Sequence, residues 1–235
     1  MKRYATFVMR FALVPAISGT FMASGARLES PVEWAHVITG IATLYLILIL
    51  VVRSAMQRKL RPAVVTALAL GLAEAIPGME RLHAAISPVL FATLAWATVE
   101  APAKPSVAVQ WRVGIGVLPV LVLAGIAYGV GYRHQTSGVI PHIATAMLAA
   151  GVLLTLSMAV NQSNGSIGTM RGIANLTIAA VLLQVAAGVS VLVIRMLEIN
   201  GGLALAVARA VHITGAGAVL AVSMLLAIHY LRTSY

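Results

Sequence analysis

Apolar stretches about as long as a bilayer crossing recur along this chain, and no soluble fold could bury so many of them. A helix needs about 20 apolar residues to span the hydrocarbon core. By that measure, crossings fall at roughly 5–25, 32–53, 62–79, 82–100, 111–131, 139–160, 172–195 and 203–231. Polar or proline-rich breaks separate them, such as Arg27-Leu28-Glu29-Ser30-Pro31, Gln57 to Pro62, Arg133-His134 and Glu198 to Gly202. Only 9% of the residues are charged, against about 25% in an ordinary soluble domain. So little charge cannot cover a water-facing surface, so lipid is the main solvent. The expectation is an all-α membrane protein with eight transmembrane helices.

The charge that exists sits at the ends of the apolar runs. A net charge of +10 could suggest nucleic acid, but single cations at span ends anchor a chain in a membrane and do not form a phosphate-binding face. No nucleic-acid partner is expected. With the N-terminus inside, the inner ends collect Lys2, Arg3, Arg10, Arg53, Arg58, Lys59, Arg61, Lys104, Arg112, Arg171 and Arg232. The outer ends collect only Arg27, Arg81, Arg133, Arg195 and Arg209. This bias predicts a multi-pass protein of the cell membrane with both termini cytoplasmic. Met1-Lys2-Arg3 could open a signal peptide, but the run after it is long and further spans follow, so it reads as the first helix. With no cysteine in the chain, disulfides, thiolate metal sites, Cys nucleophiles and covalently attached haem are excluded.

The chain repeats itself. Gly19, Gly25, Arg27 and His36 match Gly125, Gly131, Arg133 and His142, all offset by 106 residues. Further on, Glu74 with Gly78 parallels Gln184 with Gly188, and Arg81 with His83 parallels Arg209 with His212 at one residue of slippage. Four spans return the chain to its starting side, so both copies share one orientation. The reading is two tandem four-helix bundles, 1–106 and 107–235, related by a pseudo-twofold axis along the membrane normal.

Four of the six histidines occupy the duplicated positions, His36 and His83 in one half, His142 and His212 in the other, all toward the outer face. An ionisable side chain inside a membrane is costly and usually functional. Two imidazoles from facing helices can approach an iron from opposite sides, and a bundle core is a natural place for such a cofactor. A satisfied core histidine is the ordinary reading for any one of them; duplicated pairs favour ligation. Zinc or copper would want more donors close together, so haem iron fits better. Arg27, Arg81, Arg133 and Arg209 lie at the same depth and could pair with haem propionates; interfacial anchoring is the equal alternative. His134 reads as a solvated loop residue, with the edge of the second haem as the alternative, and His229 as interfacial. Glu33 lies one turn before His36, where the second half has Val139, and is the better candidate for a reactive role. Glu74 could simply be hydrogen-bonded across helices. The Gly215-Ala216-Gly217-Ala218 run permits close approach of a helix or a haem face.

Together these residues resemble the haem A synthase family, the cytochrome oxidase assembly factors that oxidise haem O. Glu33-Trp34-Ala35-His36 looks like that family's E-x-x-H motif, and Leu82-His83-Ala84-Ala85 like the segment opening its fourth helix. Tyr132-Arg133-His134 through Pro141-His142 resembles its fifth-to-sixth-helix stretch. Gln184 with Gly188, and Val211-His212 with Gly215, resemble its last two helices. The chain lacks the family's longer first outer loop with its Asp-Trp-Pro motif, and Val37 stands where members usually carry Arg. The resemblance implies that His36 and His83 flank the substrate haem O, with Glu33 as the catalytic carboxylate. It also implies that His142 and His212 ligate an electron-passing haem b, and that a methyl group is oxidised to the formyl of haem A. A haem O donor enzyme or a terminal oxidase is the implied partner. The competing reading is a non-catalytic dihaem b-type cytochrome serving as an electron-transfer subunit of a respiratory complex. A duplicated transporter is a weaker third, because it would want broken helices and polar groups at the midplane.

Overall fold

The computed structural model describes residues 2–23, 30–57, 61–76, 80–99, 112–162, 168–197 and 202–232. Their regular structure is helical throughout: α1 (Lys2–Phe11), α2 (Leu13–Ala23), α3 (Ser30–Met56), α4 (Pro62–Glu74), α5 (Glu80–Ala97), α6 (Arg112–Arg133), α7 (Val139–Gln162), α8 (Gly168–Met196) and α9 (Gly202–Arg232). Five of them, α3 and α6 to α9, are long and apolar enough to cross a membrane. The protein is therefore an all-α, multi-pass membrane chain. The apolar helices α4 and α5 are shorter. With 13 residues, α4 rises only about 20 Å, short of a hydrocarbon core of about 30 Å.

The first apolar run, expected as one helix over 5–25, is divided into α1 and α2 at Ala12. Pro15 is the cause: it offers no N–H, and its ring crowds the carbonyl four residues back, that of Phe11. Hydrogen bonds still cross the break, from the Ala12 N–H to the Val8 carbonyl (2.9 Å) and from the Ala16 N–H to the Ala12 carbonyl (3.3 Å). The helix is bent there, not severed. At the other end of the bundle α4 begins on an extended Arg61 with Pro62 in its first turn, where a missing N–H costs nothing. The Arg61 guanidinium reaches across to donate to the Val99 carbonyl at 3.1 Å, satisfying an otherwise orphaned group just past the end of α5.

Helix α3 shows which solvent the surface expects. Trp34, Ile38, Ile41, Tyr45, Leu48, Val52 and Met56 recur every three or four residues and are all exposed, from 46% at Leu48 to 79% at Met56. The opposite face buries Thr43, Ile47, Leu50 and Ser54. Apolar side chains face out along the whole helix while hydroxyls turn in, and Thr43 is satisfied by donating to the Thr39 carbonyl at 2.7 Å. A stripe of this length is an interaction surface, here for lipid.

The largest buried cluster joins α6, α7 and α9 through Ile115, Leu118, Leu153, Leu156, Leu220 and Leu226. A smaller one joins α1, α3, α4 and α5 through Val8, Ile47, Ala67 and Leu94. Helix α9 touches α2, α5, α6 and α8 and so links the two halves. Its small-residue run allows this. A Cβ at Gly217 would lie 3.5 Å from the Pro88 Cα of α5, and one at Gly215 would collide with the Gln184 Oε1 of α8.

The lipid-facing reading of α3 predicts that Ile41→Arg opposes membrane integration by about 2.5–3.5 kcal/mol. An insertion assay on α3 in its native context measures this. On a water-facing helix the same exposed substitution changes stability by no more than about 0.5 kcal/mol, and integration at wild-type efficiency would contradict the reading.

Candidate functional site

Each of the four histidines at the duplicated positions sits on the second helix of an α-helical hairpin: His36 on α3, His83 on α5, His142 on α7 and His212 on α9. The connections are short, so consecutive helices run antiparallel and these second helices start at the same end. The structure brings His36 to His83, with ring centroids 5.8 Å apart and planes at 83°. It brings His142 to His212 at 6.0 Å and 84°. Two sites of nearly equal geometry result.

The first helix of each hairpin holds the ring in a specific way. Nδ1 of His36 lies 3.0 Å from the Pro15 carbonyl, Nδ1 of His142 lies 2.9 Å from that of Gly125, and Nδ1 of His212 lies 3.2 Å from that of Gln184. A carbonyl only accepts, so Nδ1 carries the proton in all three, and Nε2 of the neutral ring keeps its lone pair. Four residues after each carbonyl, one turn further along the same face, stands a glycine. A Cβ at Gly19 would lie 2.7 Å from His36 Cε1, and one at Gly129 or Gly188 would lie 2.9 Å from the Cε1 of His142 or His212. Real Cβ atoms do not approach so closely, so the ring needs the bare glycine. The 106-residue offset equates Gly19 with Gly125; structurally the counterpart of Gly19 is Gly129, one turn on. Gly125 supplies the carbonyl instead. Of the fourth seat, Glu74 is described and Gly78 lies outside the described residues.

The surroundings of the two pairs differ. Beside the first, the Ser87 hydroxyl donates to Glu74 Oε1 at 2.5 Å, linking α5 to α4, and the Ser18 hydroxyl lies 3.3 Å from His36 Nδ1. Beside the second, Gln184 stands in the place of Glu74, and its Oε1 is buried with no hydrogen-bond partner among the described residues. Glu33 is exposed on the first turn of α3 and is not among the residues lining the cavity at the first pair. Arg209 is half-buried, one turn before His212, and its charge feels those of Arg195 and Arg133. Arg195 also donates to the Tyr132 hydroxyl at 2.9 Å. Arg27 lies outside the described residues, as do the side chains of Arg81 and His229.

A cavity of about 480 Å³ opens beside His36 and His83. Arg133 and His134 of the second half line it too. The sequence reading of His134 as a solvated loop residue differs from its place here: its Nε2 is enclosed, without a hydrogen-bond partner among the described residues. Nothing local in the sequence signals this, because the contact depends on how the halves pack. Among the described residues, no three or more His, Cys, Asp or Glu side chains converge to hold a metal ion by themselves. Each pair offers two nitrogens.

No family model, curated protein or solved structure matches this chain.

The seats predict opposite signs for the same substitution. Gly129→Ala and Gly188→Ala each force an imidazole aside and destabilise by about 1–3 kcal/mol. Gly151→Ala, where nothing lies within 4 Å, stabilises α7 by about 0.5–1 kcal/mol. Thermal unfolding in detergent reads the difference, and a gain at all three positions would show that the rings are not seated on the glycines.

Proposed function

We propose that this protein is a membrane haemoprotein of the haem A synthase type, oxidising a methyl group of haem O to a formyl group: water supplies the formyl oxygen, four protons are released, and four electrons leave one at a time through haem b to an external one-electron oxidant. The observation that carries the reading is the pair of duplicated histidine sites, with ring centroids 5.8 and 6.0 Å apart and ring planes nearly perpendicular. Two imidazoles bonded to one metal from opposite sides, with metal–nitrogen bonds of about 2.0–2.1 Å, have centroids about 6 Å apart. Two protein nitrogens do not complete a zinc or copper site, but they suffice for a metal that brings four in-plane donors of its own. The Nδ1–carbonyl bonds support the same reading, since a ligating histidine usually donates its other ring N–H to a carbonyl or carboxylate.

In this proposal the chain makes eight crossings, with α1 and α2 forming the first and both termini cytoplasmic. The histidine sites then face outward. His36 and His83 hold the substrate haem O; His142 and His212 hold haem b. Iron held between such pairs supplies one-electron chemistry. The protein's own part is to keep Nε2 of His36, His142 and His212 unprotonated, through the carbonyls of Pro15, Gly125 and Gln184. Arg133 and Arg209, with Arg27 and Arg81 at matching sequence positions, present guanidinium groups to carboxylates. Glu33, one turn before His36, is the proposed catalytic carboxylate, accepting protons as the methyl carbon is oxidised. The asymmetry of Glu33 and Glu74 against Val139 and Gln184 supports assigning chemistry to the first site and electron storage to the second. A haem O-producing enzyme or a terminal oxidase is the natural neighbour.

The exposure of Glu33 favours the second reading, a dihaem b-type cytochrome acting as an electron-transfer subunit. Extraction of haem from cells that also make haem O separates the two. The synthase reading predicts haem A or its alcohol intermediate, falling by about 10²-fold or more in Glu33→Gln, as loss of a general base does. Haem b alone in the wild-type protein would select the cytochrome.

A further inference from the structure

The cavity beside His36 and His83 is not built by the N-terminal half alone. Helix α9 contributes Thr214 and Gly217 to its wall, the last residue of α6 contributes Arg133, and the turn after it contributes His134. We infer that Arg133 and His134, carried by the C-terminal half, belong to the N-terminal site and hold the carboxylate edge of the ligand bound between His36 and His83. The inference rests on the proposed porphyrin-binding function and assigns these two residues to one of its two sites.

Three observations converge on it. His134 lines the cavity, and its enclosed Nε2 has no hydrogen-bond partner among the described residues. An enclosed polar atom in that state is costly, and the ring gains a partner by turning it toward a ligand group in the cavity that the residue lines. The turn that carries it is tightly fixed. His134 N–H donates to the Val130 carbonyl at 3.0 Å, Thr136 N–H to that of Gly131 at 2.8 Å, and the Ser137 hydroxyl to that of Tyr128 at 3.1 Å. Gln135 adopts φ +59°, a left-handed conformation that closes α6 and that residues other than glycine adopt only at a cost. The position of His134 is thus built, not incidental.

Charge is the third observation. Arg133 lines the wall and brings a guanidinium charge to it, one that Arg209 also feels together with that of Arg195. The remaining wall is largely apolar, with Leu13, Met22 and Phe91. An apolar body, two axial nitrogens and a cationic rim together describe a flat metallomacrocycle bearing carboxylates. By sequence position Arg133 goes with His142, nine residues on; the wall it lines belongs to the other pair. His134 has no counterpart in the first half, where Leu28 follows Arg27, so the two sites are not equivalent in this respect.

The test titrates ferric protoporphyrin IX into the purified full-length protein in detergent. One background carries His212→Ala, leaving the first pair intact, and the other His36→Ala, leaving the second. Arg133→Gln and His134→Ala should each weaken binding about tenfold in the first background and by less than about twofold in the second. A readout free of substitutions at the rim is the dimethyl ester of the same porphyrin, which lacks both carboxylate charges. It should bind the first site about tenfold more weakly than the free acid, and Arg133→Gln should then weaken it no further. Equal weakening in both backgrounds, weakening confined to the second, or no change in either would overturn the assignment. If neither background binds porphyrin while the protein remains folded by circular dichroism, the proposed function itself falls and the assignment with it.

Discussion

An imidazole packed inside a helical hairpin needs somewhere to put its second nitrogen, and this fold answers with a carbonyl of the facing helix. The bond from Nδ1 to a carbonyl whose own residue lies one turn before a glycine occurs at His36, His142 and His212. It fixes the ring's tautomer, and the glycine lets the ring approach the helix backbone. The rest of the arrangement depends on that seat. With the rings held from behind, His36 meets His83 and His142 meets His212 across the bundle with their planes nearly perpendicular. Remove the glycine and the ring must shift; remove the carbonyl's geometry and Nε2 loses its aim.

Much of the architecture was legible because membrane solvation leaves so few choices. Apolar runs near the length of a crossing, cut by charges and prolines, located the helices from α3 to α9 to within a few residues. The bend at Ala12 was not, because Pro15 lies inside an apolar run, and composition does not distinguish a tolerated proline from a breaking one. The duplicated histidines stood out as titratable groups in a nearly uncharged chain. Their glycines did not align cleanly. The offset of 106 residues pairs Gly19 with Gly125, whereas the loop lengths place Gly129 under His142. A spacing rule of carbonyl residue and glycine four apart, visible at Gln184 and Gly188, would have found the correct partner. The local pattern Tyr132-Arg133-His134 could not say which site His134 belongs to. It lines one cavity with His36 and His83, far off in sequence, and only the packing of the second half against the first brings them to it.

The two sites are alike in their histidine pairs and different in what surrounds them. Ser87 donates to Glu74 beside the first pair; Gln184 lies against Gly215 beside the second. The first has a cavity whose wall draws on both halves. Helix α9 is common to both, turning His212 toward His142 and Thr214 toward the first cavity. A duplicated fold that keeps the geometry of its histidine pairs while diverging in polar surroundings would suit the proposed division into one reactive and one carrier site. The same helix that separates the sites also joins them.

The central claim is that each histidine pair grips one iron between two imidazoles. Electron paramagnetic resonance of the oxidised, purified protein, combined with a haem-to-protein ratio, tests it most directly. The account predicts two low-spin bis-histidine centres per chain, one of them lost on His36→Ala and the other on His142→Ala. Protein that carries no haem even after haem is supplied, or a spectrum unchanged by either substitution, would contradict it.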